Sequence, residues 1–115
     1  MTVKLWHNPR CSKSRQGLQL LEERGAAVNV VRYLETPPDA AELERVLALL
    51  GLEPRQLMRT KEPLYKELSL DDPALSREQL IAAMASHPLL IERPVAISGE
   101  KAALGRPPEK VLEVL

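Results

Sequence analysis

The sequence holds a single cysteine, no phenylalanine and only three aromatic residues, Trp6, Tyr33 and Tyr65. One cysteine excludes an internal disulfide, and with only two histidines beside it the usual structural zinc sets are excluded too. A dominant charge is also missing: 16 basic and 16 acidic residues cancel, which removes the footprint of a general nucleic-acid or anionic-membrane binder. No apolar run is long enough for a signal-peptide core or a membrane span. The chain is therefore read as a soluble protein of a reducing cytoplasm, monomeric, with no metal or bound cofactor and no nucleic-acid or membrane partner.

What is present is aliphatic. At 115 residues and 44% hydrophobic, the chain is long enough to bury one core, made mostly of Leu, Val, Ile and Ala. One domain over residues 1–115 is expected.

Hydrophobic period divides the chain. Alternation in VKLW predicts a strand over Thr2 to Trp6, halted at Asn8-Pro9. From Ser12 the spacing turns helical, with Ser14, Gly17, Leu18 and Leu21 on one face and Gly25 as the stop. AVNVVRYL, Ala27 to Leu34, is short and β-branched, so a second strand parallel to the first is expected. After ETPPD, Asp39 with Glu42 starts a helix whose Leu43, Val46, Leu47 and Leu50 form an apolar stripe closed by Gly51. Pro54, Pro63 and Pro73 allow only short helical pieces over residues 52–75, anchored by Leu57, Met58, Leu64, Tyr65 and Leu68. Ser76 and Gln79 form a capping box for a further helix to about Ser86, ended by His87-Pro88.

PVAIS and EKAAL flank Gly99 and read as an antiparallel hairpin. A last helix follows GRPP, with Val111, Leu112 and Leu115 turned inward. The order is β-α-β, a helical middle over about 39–88, then β-β-α. That order predicts an α/β, thioredoxin-like fold with a mixed sheet and the middle helices as an insertion.

The chemistry centres on HNPRCSKSR, His7 to Arg15, where Cys11 stands at the junction of a strand's exit loop and a helix start. A thiol attacks only as thiolate, and a helix N-terminus with nearby cations lowers its pKa from about 8.5 to between roughly 3.5 and 7.5. The N–H groups of Ser12, Lys13 and Ser14 supply one influence, the flanking basic residues the other, and the same N–H groups can cradle an oxyanion. Free cysteines are usually small buried hydrophobes, but the helix-start position and the cationic surroundings favour a reactive thiol here. His7 fits either an imidazolium supporting that thiolate or a strand-end side chain in solvent. Ser14 occupies the place of the second cysteine of a C-x-x-C pair, so no resolving thiol exists in the chain. Arg59, Arg93 and Arg106 sit at breakpoints rather than on helix faces, and the last two immediately precede proline. In a thioredoxin-like fold the proline before the third strand lies opposite the nucleophile loop, which would carry Arg93 toward Cys11. A cis peptide bond is compatible with that place.

With these residues in view, the chain resembles the glutaredoxin-dependent arsenate reductase (ArsC) family. HNPRCSKSR is similar to that family's HNPxCxxSR signature, and YLETPP, LMRTKEPLY, HPLLIERPVAIS and GRPPEKVLEVL resemble its later blocks in order. The likeness is greatest to the short YfgD-like branch. It implies that Cys11 is the nucleophile, that His7 and Ser14 tune the thiolate, and that Arg59, Arg93 and Arg106 bind the oxyanion. It also implies that the thiolate attacks arsenate, glutathione acts as co-substrate, and glutaredoxin resolves the product as arsenite leaves. Three other readings stand beside it: a glutathione-dependent thiol reductase with another substrate, an Spx-like regulator binding RNA polymerase, and an interaction module with a vestigial cysteine. The Spx-like reading loses force because C-x-x-S has no disulfide switch.

Overall fold

Alternation at the N-terminus makes the first strand where it was expected. In a computed structural model describing residues 2–115, β1 runs Thr2–Trp6 with Val3 and Leu5 fully buried. α1, Ser12–Glu23, follows; Gly25 beyond its end takes φ +77°, a left-handed conformation that glycine adopts without a Cβ penalty. α1 returns the chain to β2, Ala27–Val31, which pairs parallel with β1 from Thr2↔Ala27 to Trp6↔Val31. β2 ends three residues before the predicted Leu34. The Arg32 carbonyl is taken by the N–H groups of Glu35 and Thr36, both at 2.9 Å. That turn removes Tyr33 and Leu34 from the ladder, burying the former and leaving the latter 40% exposed.

The hairpin forms as β3, Val95–Ser98, and β4, Lys101–Leu104, antiparallel and joined across Gly99. β3 also lies antiparallel to β1, so the sheet order is β2-β1-β3-β4 and the sheet is mixed. This is the thioredoxin-like arrangement that the element order predicted.

The C-terminal helix, Pro108–Val114, is a 3₁₀ helix. Its period of three residues aligns Pro108, Val111 and Val114, and these are its buried residues. Of the expected inward set only Val111 is fully buried, while Leu112 and Leu115 pack at the margin of the cluster formed by Val3, Leu5, Leu21, Ala96, Ala103, Val111 and Val114. Two glycines allow the close approach around Pro94. A Cβ on Gly105 would lie 2.6 Å from Pro94 Cγ and 2.9 Å from Val111 Cγ1, and one on Gly17 would lie 3.1 Å from Pro94 Cγ.

The chain divides into two compact units, Met1–Thr36 with Arg93–Leu115, and Pro37–Glu92. The second contains the predicted helical segment. α2, Ala40–Leu50, is capped by Asp39, whose carboxylate accepts from Glu42 N–H at 2.8 Å, and it ends at Gly51 in the left-handed conformation. α3, Pro54–Leu57, and α4, Pro63–Glu67, each begin on proline. Leu68, an expected anchor, is 39% exposed, and Leu70 is buried in its place. The cause is local. α4 ends in a Schellman motif, with Ser69 at φ 56°, Ser69 N–H on Lys66 O and Leu70 N–H on Tyr65 O, so the chain reverses and turns Leu70 inward.

α5, Arg77–Ser86, has the full capping box between Ser76 and Gln79, packs on α2 and buries Leu80, Ile81 and Met84. Arg77 reaches Glu44 Oε1 at 3.0 Å and Glu53 Oε2 at 3.6 Å, an exposed network of modest worth. Residues 57–59 and 90–92 run antiparallel, with Glu92 N–H on Leu57 O at 2.8 Å, Arg59 N–H on Leu90 O at 2.7 Å, and a bridge between Met58 and Ile91.

Candidate active site

Asn8 shapes the loop that delivers the sulfur. Its side-chain oxygen accepts from Arg10 N–H and its carbonyl accepts from Cys11 N–H, both at 3.0 Å, an Asx-type turn closed by Pro9. Arg15 Nη1 donates to Pro9 O at 2.8 Å and ties the loop to the helix that follows. Cys11 then becomes the N-cap of α1 with extended backbone, and no acidic residue stands in the first turn.

Cys11 is 9% exposed. Burial pushes the thiol pKa up. Against it act the Ser14 N–H, the Arg93 charge, the Lys13 N–H and the Arg106 charge, and together they bring it below its ordinary value. Of the three N–H groups that the sequence pointed to, those of Lys13 and Ser14 favour the thiolate.

His7 and Ser14 meet beneath this loop. His7 Nδ1 lies 2.6 Å from Ser14 Oγ, and the two are the buried polar residues, 6% and 0% exposed. Ser14 Oγ also accepts from Asn8 N–H at 3.0 Å. Burial first, then the charges of Arg32 and Arg15, lower the His7 pKa below 6.5. Burial and these charges disfavour the imidazolium, and at 6% exposure the side chain is not a strand-end group in solvent. Ser14 accepts from Asn8, and in the tautomer with its proton on Nε2 the ring accepts at Nδ1 and Ser14 donates to it. That fixes Ser14 while its N–H faces the sulfur.

Arg93 and Arg106 both act electrostatically on Cys11 and both precede cis prolines, Pro94 and Pro107. Arg106 Nε donates to Arg93 O at 3.2 Å, and Gly105 N–H donates to Pro94 O at 2.8 Å, so the two arginine segments are cross-linked. The first unit thus brings together Cys11, His7, Ser14, Arg93 and Arg106. Arg59 belongs to the second unit, where Nη1 lies 3.1 Å from Glu62 Oε2 and Nε 3.7 Å from Glu92 Oε1. Sequence reasoning missed Asn8 as the loop's organiser, Arg15 and Arg32 as the charges acting on His7, and both glutamates. The Asn-Pro turn signal and the three-residue spacing of Arg59 and Glu62 were the available traces. Among the described residues no group of three or more His, Cys, Asp or Glu gathers as a metal site. No described helix is long and apolar enough to cross a membrane.

Comparison with known proteins converges on one family. The ArsC family model matches residues 6–114. An uncharacterized Escherichia coli protein, YfgD, is 57% identical over 114 residues, covering 98% of this chain and 96% of its own length. An arsenate reductase of Neisseria meningitidis serogroup A is 54% identical over 114 residues, covering 98% and 97%. The solved structure of an arsenate reductase from Vibrio cholerae superposes with a TM-score of 0.97 at 56% identity, covering 100% of this chain and 98% of that one.

Proposed function

The chain belongs to the ArsC family, and on that premise we propose that it reduces arsenate to arsenite, with Cys11 as the attacking thiolate. The observation that carries this reading is the Cys11 pKa, held low despite burial by two backbone N–H groups and two guanidinium groups. Arsenate is an anion, and an anionic sulfur approaches it only where donors and positive charge offset the repulsion. Arg93 and Arg106 serve both partners of the reaction, lowering the thiol pKa and holding the oxyanion by their planar forks. Arg59 is the third oxyanion ligand. Ser14 directs its N–H at the sulfur, and His7 is a positioning residue that acts through the Ser14 hydroxyl.

The sulfur displaces an arsenic-bound oxygen, which leaves as water. Glutathione, the co-substrate, displaces a second. Two electrons then pass from the sulfurs to arsenic, arsenite leaves, and the Cys11–glutathione disulfide that remains is reduced by glutaredoxin. The absence of any second cysteine in the chain agrees with a thiol supplied from outside. The enzyme works as a cytoplasmic monomer.

The test is arsenate-dependent oxidation of glutathione in the presence of glutaredoxin, followed through NADPH consumption by glutathione reductase. Turnover is expected from the wild-type protein and none from Cys11→Ser. Full turnover by the serine variant would sink the proposal, and faster turnover of a glutathione mixed disulfide than of arsenate would move the chain to the thiol-reductase reading.

A further inference from the structure

Arg59 is held by two carboxylates before any substrate arrives. Glu62 reaches Nη1 at 3.1 Å from the start of α4, and Glu92 faces Nε at 3.7 Å from the antiparallel pair of segments that also bonds Arg59 N–H to Leu90 O. All three side chains are about three-quarters buried, at 25%, 20% and 23% exposure, so their mutual field is less screened than that of a surface pair. The cluster contains one positive and two negative charges. A guanidinium has three nitrogens, and the carboxylates lie against two of them, Nη1 closely and Nε at ion-pair distance.

We propose that Glu62 and Glu92 are positioning and affinity-setting residues for the oxyanion: internal anions that aim the Arg59 guanidinium and compete with substrate for its charge. This rests on the reading of Arg59 as an oxyanion ligand. Two consequences follow from the geometry. The carboxylates contact Nη1 and Nε, so the aim they impose is toward Nη2 as the nitrogen that takes an incoming oxygen. They also hold affinity below what an unpaired arginine would give, because an arsenate or phosphate anion on Arg59 is repelled by both. When the anion leaves, the pair restores the charge balance of the arginine without rearrangement.

Glutamine separates the two roles, since it keeps an acceptor oxygen in the same place and removes the charge. Affinity is measured by calorimetric titration of the full-length protein with inorganic phosphate and with arsenate, alongside the arsenate KM. Glu62→Gln and Glu92→Gln are expected to tighten anion binding by about three- to ten-fold, with the kinetic change in KM more than in kcat. Glu62→Ala, which also loses the aim, gains less than Glu62→Gln. In the background of Arg59→Ala the glutamine substitutions have no further effect.

Unchanged or weaker anion binding in both glutamine variants, with far-ultraviolet circular dichroism unaltered, would overturn the proposal. So would tightening that persists without Arg59. Tighter phosphate binding in a protein whose wild type turns over no arsenate would uphold the inference and reject the arsenate reductase reading. Arsenate turnover with unaltered affinity in the glutamine variants would do the reverse.

Discussion

α5 opens with Ser76, whose hydroxyl accepts from Gln79 N–H while the Gln79 side chain returns to Ser76 N–H, and Glu78 stands in its first turn. α2 opens with an aspartate cap and Glu42. α1 opens with a cysteine, has no acidic residue in its first turn, and leaves its N–H groups for the sulfur. The charge of the two units follows the same division. The unit bearing Cys11 has ten basic and six acidic residues, the other six basic and ten acidic, so the neutral total conceals two opposed halves. The N-termini of α2 and α5 are capped for helix stability, while α1 has no side-chain cap, a difference that suits the proposed role of its donors toward an anion.

The largest expected effect breaks the comparison at Cys11 itself. Serine is a better N-cap than cysteine, so Cys11→Ser converts α1 toward the design of α5. Arsenate reduction should fall by more than about a thousand-fold, while unfolding free energy from urea melts should stay level or rise by up to about 1 kcal/mol. A clear loss of stability would show that the cysteine supports the fold and that α1 gives up nothing for its chemistry.

Next comes the packing that carries the two arginine segments. Gly105→Ala drives a Cβ to 2.6 Å from Pro94 Cγ and should destabilise by about 1–3 kcal/mol. Gly17→Ala, at 3.1 Å and within α1, should cost less because alanine is favoured over glycine in a helix by about 1 kcal/mol. Equal losses in urea melts would mean that Pro94 yields and that the close approach is not a constraint on Arg93 and Arg106.

Two serines then sharpen the contrast. Ser14→Ala removes the buried hydroxyl between His7 Nδ1 and Asn8 N–H and should cost about 1–3 kcal/mol together with a slower Cys11 alkylation. Ser76→Ala removes only an exposed cap and should cost about 1 kcal/mol with arsenate turnover unaltered. If both variants lowered turnover alike, the division of labour between the helix starts would fail.

How far these features were legible in the sequence depended on the range of the interaction behind each. Caps were read correctly at Asp39 and Ser76 because the capping pair is three residues apart. The place of Cys11 between β1 and the start of α1 was legible because it is written in nine consecutive residues. Leu68 was misplaced for Leu70 because a non-glycine residue, Ser69, takes the left-handed conformation, which no composition rule marks there. The last helix was assigned the wrong period, since 3₁₀ geometry over seven residues is decided by packing on the sheet rather than by propensity. His7 was read from its ordinary pKa, and the lowering of that pKa depends on burial and on Arg32, 25 positions further on.

The smallest expected effect is a pH dependence. The folded Cys11 pKa lies below that of the unfolded chain, so the unfolded state binds more protons between the two values and stability rises with pH across that window. The contribution is complete above the unfolded value and is lost as pH falls through the folded one. His7 has the same sign in a lower window. Its folded pKa is below 6.5, so acidification protonates the unfolded chain first and lowers stability as pH drops past 6.5. Iodoacetamide alkylation of Cys11 should therefore show a midpoint below that of the urea-unfolded chain, displaced upward in Arg93→Ala and Arg106→Ala, and the His7 ring should titrate below 6.5 by NMR. An alkylation midpoint unmoved by either arginine substitution would assign the low thiol pKa to the α1 N–H groups alone. The uncapped helix start would then be sufficient, and the positive charge of its unit would serve the oxyanion rather than the sulfur.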